Sequence, residues 1–187
     1  LYAAINIIGL AMGLAIYIFG GLLAEYEYSH DSFYENSERI YTVGISFKPE
    51  FNAGINEMNA VPTAVLPFIK EDLPEIESSA RTFIKEFLLS VGADNYYQRL
   101  RFADPQLLSI FDFDYIFGDS TALSNPSGMV ITESAALKYF GNDNPLGKTI
   151  TLDHQSDLTV TAVIKDLPPN THFNSYFIDN VPFEIII

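Results

Sequence analysis

The chain has 187 residues, with 10 Lys and Arg against 24 Asp and Glu, and a formal net charge of −14. This charge argues against a protein that binds the nucleic-acid backbone, because nothing offsets its repulsion of a polyanion. The sequence contains no Cys, which excludes a disulfide framework, thiolate zinc sites, iron–sulfur clusters and thiol nucleophiles.

The first predicted element is a transmembrane helix at residues 1–24. These residues carry no charged side chain, and 19 of them are apolar. As a helix they span ~36 Å, enough to cross a hydrocarbon core of ~30 Å. A secretory signal peptide is disfavoured because no Met or basic region precedes the apolar run. A buried core helix would be unusually long without a charge, and an amphipathic helix would need more polar groups than Asn6 alone.

The residues around the helix predict its context. Since Leu1 lies inside the apolar run, we expect the chain to be a fragment of a longer protein. Residues 25–38 carry five acidic side chains and no base before Arg39. Because basic residues favour the cytoplasmic side of a membrane, residues 25–187 are predicted to be extracytoplasmic.

Gly9 and Gly13 form a GxxxG step in the helix. Small residues at this spacing let a second helix approach closely, so these two glycines are the predicted sites of membrane-helix packing. The alternative is that they have no packing role, since Gly is frequent in transmembrane helices in general.

Residues 25–187 are predicted to form a strand-rich α+β domain, either one unit or two joined lobes. In chain order the pattern predicts an interfacial polar–aromatic stretch at 26–34, a strand at 39–47 and a helix within 61–73. This helix begins either at Pro62 or later, in which case Pro67 lies in its first turn. Next come strands within 76–84 and 86–102 with a turn at 92–95, an apolar stretch at 106–117, and a helix that Thr132 caps and Gly141 ends after Phe140. The last predicted elements are a hairpin of 148–153 with 158–165 and a loop at 166–170. The alternating Phe111, Phe113, Tyr115 and Phe117 are interpreted as one face of a buried strand.

Residues 141–149 resemble a phosphate-binding loop but differ from it in spacing and context. Five residues separate Gly141 from Gly147, whereas GxxxxGK[ST] has four. The predicted order is helix, loop, strand, the reverse of the order that aims helix amides at a phosphate. Pro145 also removes one amide. We therefore predict a turn at this position.

No catalytic, cofactor-binding or metal site is predicted. His30 with Asp31, or His154 with Asp157, would supply only two metal ligands each. A hydrolase would need a GxSxG elbow, which the sequence lacks, or two carboxylates held in one cleft. The candidate acids for such a cleft are Glu25, Glu27 and Asp31.

Three separated blocks of sequence resemble one family. The first block is INIIGLAMGLA at 5–15, continued by EYSHDSF at 27–33 and RIY at 39–41; the second is ITESAALKYFG at 131–141 with NPLGKTI at 144–150; the third is VTAVIKDLPPNTHF at 160–173. Together they resemble the MacB-like periplasmic core domain of FtsX-family ABC transporter permeases, of the type found in Bacteroidetes. The chain departs from the family pattern near Ala162, where members often have Gly, and it lacks the further transmembrane helices.

This resemblance implies a permease subunit that is not itself an enzyme. A cytoplasmic ABC ATPase subunit would hydrolyse ATP, and the helices would relay the motion to the domain for export or for handling a lipoprotein. The resemblance further implies an inner-membrane location with residues 25–187 in the periplasm, a permease homodimer or heterodimer surrounded by membrane lipid, and a periplasmic or outer-membrane partner. Residues 1–24 would be the first of about four helices, and residues 25–187 a domain truncated at its C-terminal end.

Two other functions stay open at this stage. A membrane-anchored sensor domain of a signalling protein predicts a ligand pocket and a downstream signalling region. A membrane-tethered hydrolase predicts a cleft with convergent polar groups of shifted pKa.

Overall fold

The computed structural model describes residues 2–48, 57–58, 60–173 and 185–186. Its first element is helix α1, Tyr2–Tyr28, which confirms the predicted helix and continues it past residue 24. None of its side chains is buried against the described residues. By length and composition, α1 is the one described helix able to cross a membrane. A helix that is apolar on all sides is expected to lie in a hydrophobic environment.

The elements after α1 confirm the predicted α+β class. The helices are α2 (Leu66–Asp72), α3 (Leu107–Ile110) and α4 (Glu133–Phe140). The strands are β1 (Ile45–Ser46), β2 (Glu57–Met58), β3 (Thr82–Val91), β4 (Asp94–Ala103), β5 (Tyr115–Phe117), β6 (Gly128–Thr132), β7 (Thr149–Leu152), β8 (Ser156–Ile164) and β9 (Ile185–Ile186).

Strands β3 to β9 form one seven-stranded sheet with the order β5-β8-β6-β9-β4-β3-β7. Strand β7 also pairs with β8, so the sheet closes on itself. The β6–β8 and β4–β9 pairs are parallel, and the other pairs are antiparallel. Strands β1 and β2 form a separate antiparallel pair, which is compatible with two joined lobes.

The core consists of two hydrophobic clusters that share strand β6. Successive side chains of a strand point to opposite faces, and accordingly Met129 and Ile131 belong to the first cluster while Val130 belongs to the second. The first cluster includes Leu89, Leu100, Tyr139, Ile150 and Val160. The second includes Tyr34, Leu107, Leu108, Phe113, Leu123, Ala162, Ile164 and Phe173. The second cluster therefore joins residues close to the end of α1 to the sheet.

Helix α4 forms as the sequence predicts. Thr132 Oγ1 accepts a hydrogen bond from the Ala135 amide, which satisfies one of the free N–H groups of the first turn. Gly141, with φ of 61°, ends the helix in a backbone conformation that favours glycine. The predicted Pro67 position is also confirmed, because α2 begins at Leu66 and its first turn contains this proline.

Both predicted hairpins are present. Strands β3 and β4 pair along their whole length around a two-residue turn, in which Gly92 has φ of 60°. Strands β7 and β8 enclose Asp153 and His154, both in the left-handed region with φ of 48° and 57°. The turn is displaced from the predicted 154–157 because β8 already begins at Ser156. The predicted loop at 166–170 is confirmed.

The predicted strand at 39–47 is mostly wrong. Only Ile45–Ser46 is a strand, and its partner β2 is equally short. Residues Ser37–Arg39 form a turn of 3-10 helix, and the Arg39 guanidinium donates to Glu77 at 2.7 Å. The β-branched and aromatic composition favours a strand only where a partner strand is available to pair with it.

Two further corrections concern the middle of the chain. The predicted strand within 76–84 begins only at Thr82, and the Ile76 amide donates to Leu73 in a turn. The aromatic stripe is not one strand, because β5 starts at Tyr115 and the Phe113 amide donates to the Phe111 carbonyl. Phe113 is buried in the second cluster, whereas Phe117 at the end of β5 is exposed.

Candidate functional site

The candidate site is the junction between α1 and the domain, defined here as Ser29, Asp31, Asn170, Thr171 and His172. Its first half is the chain that leaves the helix. The Ser29 amide donates to the Glu25 carbonyl at 3.0 Å and its hydroxyl to the Tyr26 carbonyl at 2.8 Å. Asp31 then adopts φ of 54°, the left-handed conformation that Asp tolerates better than most residues. The chain therefore turns sharply within three residues of the helix end.

The Asp31 carboxylate is the centre of the junction. Its Oδ1 accepts from the Thr171 hydroxyl at 2.5 Å and from the His172 amide at 3.0 Å. Its Oδ2 contacts Nδ1 of His172, which must carry the proton to donate to a carboxylate. The Asp31 side chain is only 21% exposed. Hydrogen bonds to an ionised acceptor are among the stronger ones in proteins, so Asp31 holds the loop firmly.

Asn170 binds the same turn through its backbone and its side chain. The Asp31 amide donates to the Asn170 carbonyl at 3.0 Å. In the other direction, Asn170 Nδ2 donates to the Ser29 carbonyl at 3.0 Å and to the Ser29 hydroxyl at 2.9 Å. These reciprocal bonds oppose displacement of the two segments along several directions, which one bond would not do.

Tyr34 inserts the next turn of chain into the hydrophobic core. It is 3% exposed, and its ring lies 4.9 Å from that of Phe111 and 6.3 Å from that of Phe173, both in edge-on geometry. Burial is the main cause that raises the pKa of Tyr34 well above its usual range, so the phenol is neutral. Apolar burial thus fixes the segment after the helix within a few residues of the polar junction.

The sequence contained both halves of the junction but did not show that they meet. SHD at 29–31 and NTH at 170–172 belong to the first and third resemblance blocks, so the resemblance could have singled out these residues as candidates. Sequence spacing could not predict their contact, because Asp31 and Thr171 are 140 positions apart.

The predicted packing residues lie apart from the junction. At Gly9 and Gly13, no heavy atom of the described residues comes within 4 Å of a Cβ built on the backbone. Both glycines therefore have space for a partner helix, and their packing role stays a prediction.

The three candidate acids do not form a cleft among the described residues. Glu25 and Glu27 are exposed on α1, whereas Asp31 is engaged by the junction loop. In both candidate metal pairs the side chains have other partners. Nδ1 of His30 lies 3.2 Å from the Glu27 carbonyl, and Asp31 binds His172. Nδ1 of His154 lies 3.3 Å from the Ser90 hydroxyl, and Asp157 accepts from Thr151. In the part of the chain that the structure describes, no group of three His, Asp or Glu side chains is placed to hold a metal.

Residues 141–149 form a helix-to-strand turn, as predicted. The Gly147 amide donates to the Val160 carbonyl at 2.9 Å, and the Leu146 amide donates to Asn144 Oδ1 at 3.1 Å. The ammonium group of Lys148 lies 2.9 Å from the Asp143 carboxylate. The Gly147 and Leu146 amides and the Lys148 cation, which a phosphate would need, therefore already have partners in the turn or on β8.

Comparison with known families and structures connects this architecture to transporters. The family model described as "MacB-like periplasmic core domain" matches residues 3–185. No curated protein matches the chain.

The solved structures that resemble the chain include the following three. A domain described as coming from a permease protein of Porphyromonas gingivalis has 26% identity and a TM-score of 0.50, with 65% of this chain and 54% of that one covered. The periplasmic region of MacB from Actinobacillus actinomycetemcomitans has 21% identity and a TM-score of 0.45 over 54% of this chain and 50% of that one. The extracellular domain of the noncanonic ABC-type transporter YknZ from Gram-positive bacteria has 19% identity and a TM-score of 0.46 over 56% and 57%. The matched region spans about half the length of these structures.

Proposed function

The chain belongs to the MacB-like periplasmic core domain family, and on that premise we propose that it is part of the permease subunit of an ABC transporter. In this proposal α1 spans the inner membrane, residues 25–187 lie in the periplasm, and a separate cytoplasmic ATPase supplies the energy. The ATPase moves the membrane helices, and α1 passes that motion to the domain for export or for handling a lipoprotein.

The observation that carries the proposal is the Asp31 junction. A flexible linker would absorb a displacement of α1, because a random-coil segment changes its end-to-end distance at little cost. Here α1 is followed within three residues by Asp31, whose carboxylate binds Thr171 and His172. A tilt or shift of the helix is therefore applied directly to the domain.

The family assignment also supports the expected partners. An ABC transporter needs an ATPase and a second permease subunit, so we propose a homodimer or heterodimer of permeases embedded in lipid. The acidic composition of residues 25–187 suits the proposed periplasmic environment, and the exposed apolar side chains of α1 suit the proposed lipid environment. We also propose a partner protein in the periplasm or in the outer membrane.

Purification of the full-length protein from its native membrane tests this function. The proposal predicts that an ABC ATPase co-purifies and that ATP hydrolysis is measured in the complex. A matched preparation of an Asp31→Ala variant should retain the ATPase, because Asp31 lies outside the predicted membrane span. Recovery of a kinase or methyl-accepting region on the same polypeptide, with no ATPase, would support the sensor function instead.

A further inference from the structure

A partly buried arginine of the sheet contacts the other side of the junction loop. Arg101 lies on β4, and its Nη2 faces the carbonyl oxygens of His172 and Phe173 at 3.4 and 3.3 Å. Its Nη1 donates to the Thr82 hydroxyl of β3 at 2.8 Å. The guanidinium carbon lies 4.9 Å from the centre of the Phe173 ring, within the range of a cation–π contact.

The loop that Asp31 binds on one side is thus bound by Arg101 on the other. Asp31 accepts from the His172 amide, and Arg101 donates to the His172 carbonyl, so the backbone of His172 is bonded to both side chains. A continuous set of polar contacts runs from α1 through Asp31 and the loop to Arg101. Arg101 is also opposite Ile186 in the β4–β9 register, which places this contact beside the centre of the sheet.

The chemistry of Arg101 fits a positioning role better than simple packing. Burial lowers the pKa of Arg101 to about 10, while the nearby Asp31 carboxylate opposes this shift. Replacing a buried charged group by an apolar one of similar volume is often neutral or stabilising. A planar guanidinium, in contrast, offers several donors in fixed directions and can hold two carbonyls and a hydroxyl at once.

We propose that Arg101 is a positioning residue that anchors the junction loop to β4, so that displacement of α1 enters the seven-stranded sheet at this strand. The inference rests on the proposed function, since it names the residue through which the same junction would act. It makes a separate physical claim, however: without Arg101, the orientation of α1 relative to the domain varies more widely than in the wild type.

Pulsed electron paramagnetic resonance on the full-length protein in lipid nanodiscs tests the claim. Residues 1–187 contain no Cys, and any Cys elsewhere in the full-length protein is replaced by Ser, so that spin labels attach only to cysteines introduced at exposed positions. Tyr28→Cys with Leu137→Cys reports the distance from α1 to the domain. Tyr97→Cys with Leu137→Cys reports the distance within the domain and serves as the folding control.

The variants are Arg101→Met, Arg101→Lys and, as the matched control, Arg81→Met. Arg81 pairs with Asp104, and its side chain is half exposed. We expect Arg101→Met to replace the narrow α1–domain distribution by a broad one while the distance within the domain keeps its narrow peak. Arg101→Lys should recover part of the narrow peak, and Arg81→Met should match the wild type.

An unchanged α1–domain distribution in Arg101→Met would overturn the inference. If Arg101→Met also broadens the distance within the domain, the Arg101→Lys variant decides. If the distance within the domain is as narrow in Arg101→Lys as in the wild type, the inference requires the α1–domain distribution of this variant to be broader than in the wild type. An equally narrow α1–domain distribution contradicts the inference. Broadening of the domain peak in both variants also contradicts it, because Arg101 would then act in folding alone. None of these measurements uses ATP, so the permease function can fail while this inference stands.

Discussion

Asp31 and Thr171 are joined by a 2.5 Å hydrogen bond, although 140 positions separate them in the sequence. Asp31 belongs to the turn that follows α1, and Thr171 belongs to the loop that follows β8. The bond therefore ties the end of α1 to the loop that follows β8. Asn170 adds hydrogen bonds to Ser29, and Arg101 adds a hydrogen bond to the His172 carbonyl. Together these contacts make the junction a rigid connection.

Replacing Asp31 by Ala should destabilise the domain by about 1 to 3 kcal/mol, because the hydroxyl of the buried Thr171 and the His172 amide lose their acceptor. Asp31→Asn should cost less, since the amide oxygen still accepts from both. Urea unfolding followed by circular dichroism measures the difference. The control is Asp114→Ala, which removes an exposed ion pair with Lys165 and should change stability by less than about 0.5 kcal/mol. Equal effects of Asp31→Ala and Asp114→Ala would contradict the role given to Asp31.

The Arg81–Asp104 pair predicts an acid-dependent loss of stability. Hydrogen bonds from Arg81 are the main cause that lowers the pKa of the Asp104 carboxyl. Because the folded-state pKa lies below the unfolded value, the pair stabilises the fold at pH values above that unfolded value, about 4. This contribution is lost as the pH falls from about 4 through the folded-state pKa.

We therefore expect the free energies of unfolding of wild type and Asp104→Asn to differ by about 1 kcal/mol or less at neutral pH. The difference should be constant from neutral pH to about pH 5 and should shrink below about pH 4. Urea titrations across this range measure it. A difference that grows on acidification has the wrong sign and would rule out this assignment.

Gly118→Ala should destabilise the fold more than Gly92→Ala. Both glycines have positive φ, so an added side chain is strained by about 1 to 2 kcal/mol at either site. At Gly118 the new Cβ would also lie 2.5 Å from the Thr161 carbonyl oxygen of β8, a clash that requires backbone movement. At Gly92 no heavy atom of the described residues lies within 4 Å. Thermal unfolding should show a clearly larger loss for Gly118→Ala, and a smaller loss there would contradict the close approach of Gly118 to β8.

Replacing Gly9 or Gly13 by Leu should impair assembly of the permease complex more than membrane insertion. A large side chain blocks close helix approach, whereas Leu favours insertion. Ala11→Leu is the matched control, because two residues further along a helix the side chain points to nearly the opposite side. Crosslinking yield in membranes measures assembly, and carbonate extraction measures insertion. Equal crosslinking of the Gly9→Leu, Gly13→Leu and Ala11→Leu variants would refute the packing role.

Local signals predicted the parts of the fold that local physics determines. The Thr132 cap, the Gly141 end and the Gly92 turn each depend on a few neighbouring residues, and all three are present. The strand expected at 39–47 failed because strand formation depends on a partner, and β1 pairs with only two residues of β2. Local composition carries no information about such a partner.

The candidate site could be predicted only in part. The resemblance placed residues 29–31 and 170–173 in separate blocks without indicating their contact. Arg101 gave no signal, since an Arg in an alternating strand is usually on the solvent face. Its partial burial becomes clear only when β4 and the loop after β8 are seen together. Long-range contacts of this kind follow from the tertiary fold and not from sequence periodicity.

The central claim is that α1 transmits motion through the Asp31 junction. It is tested most directly by spin labels at Leu137→Cys on the two permease subunits of the assembled transporter, measured without nucleotide and with a non-hydrolysable ATP analogue. A Gly-Ser insertion between Tyr28 and Ser29 breaks the junction, and the same insertion between Gly92 and Ala93 in the exposed β3–β4 turn is the control. We predict a nucleotide-dependent distance change in wild type and in the control that is lost in the junction variant, while ATP hydrolysis continues. A distance change that persists in the junction variant would contradict the claim.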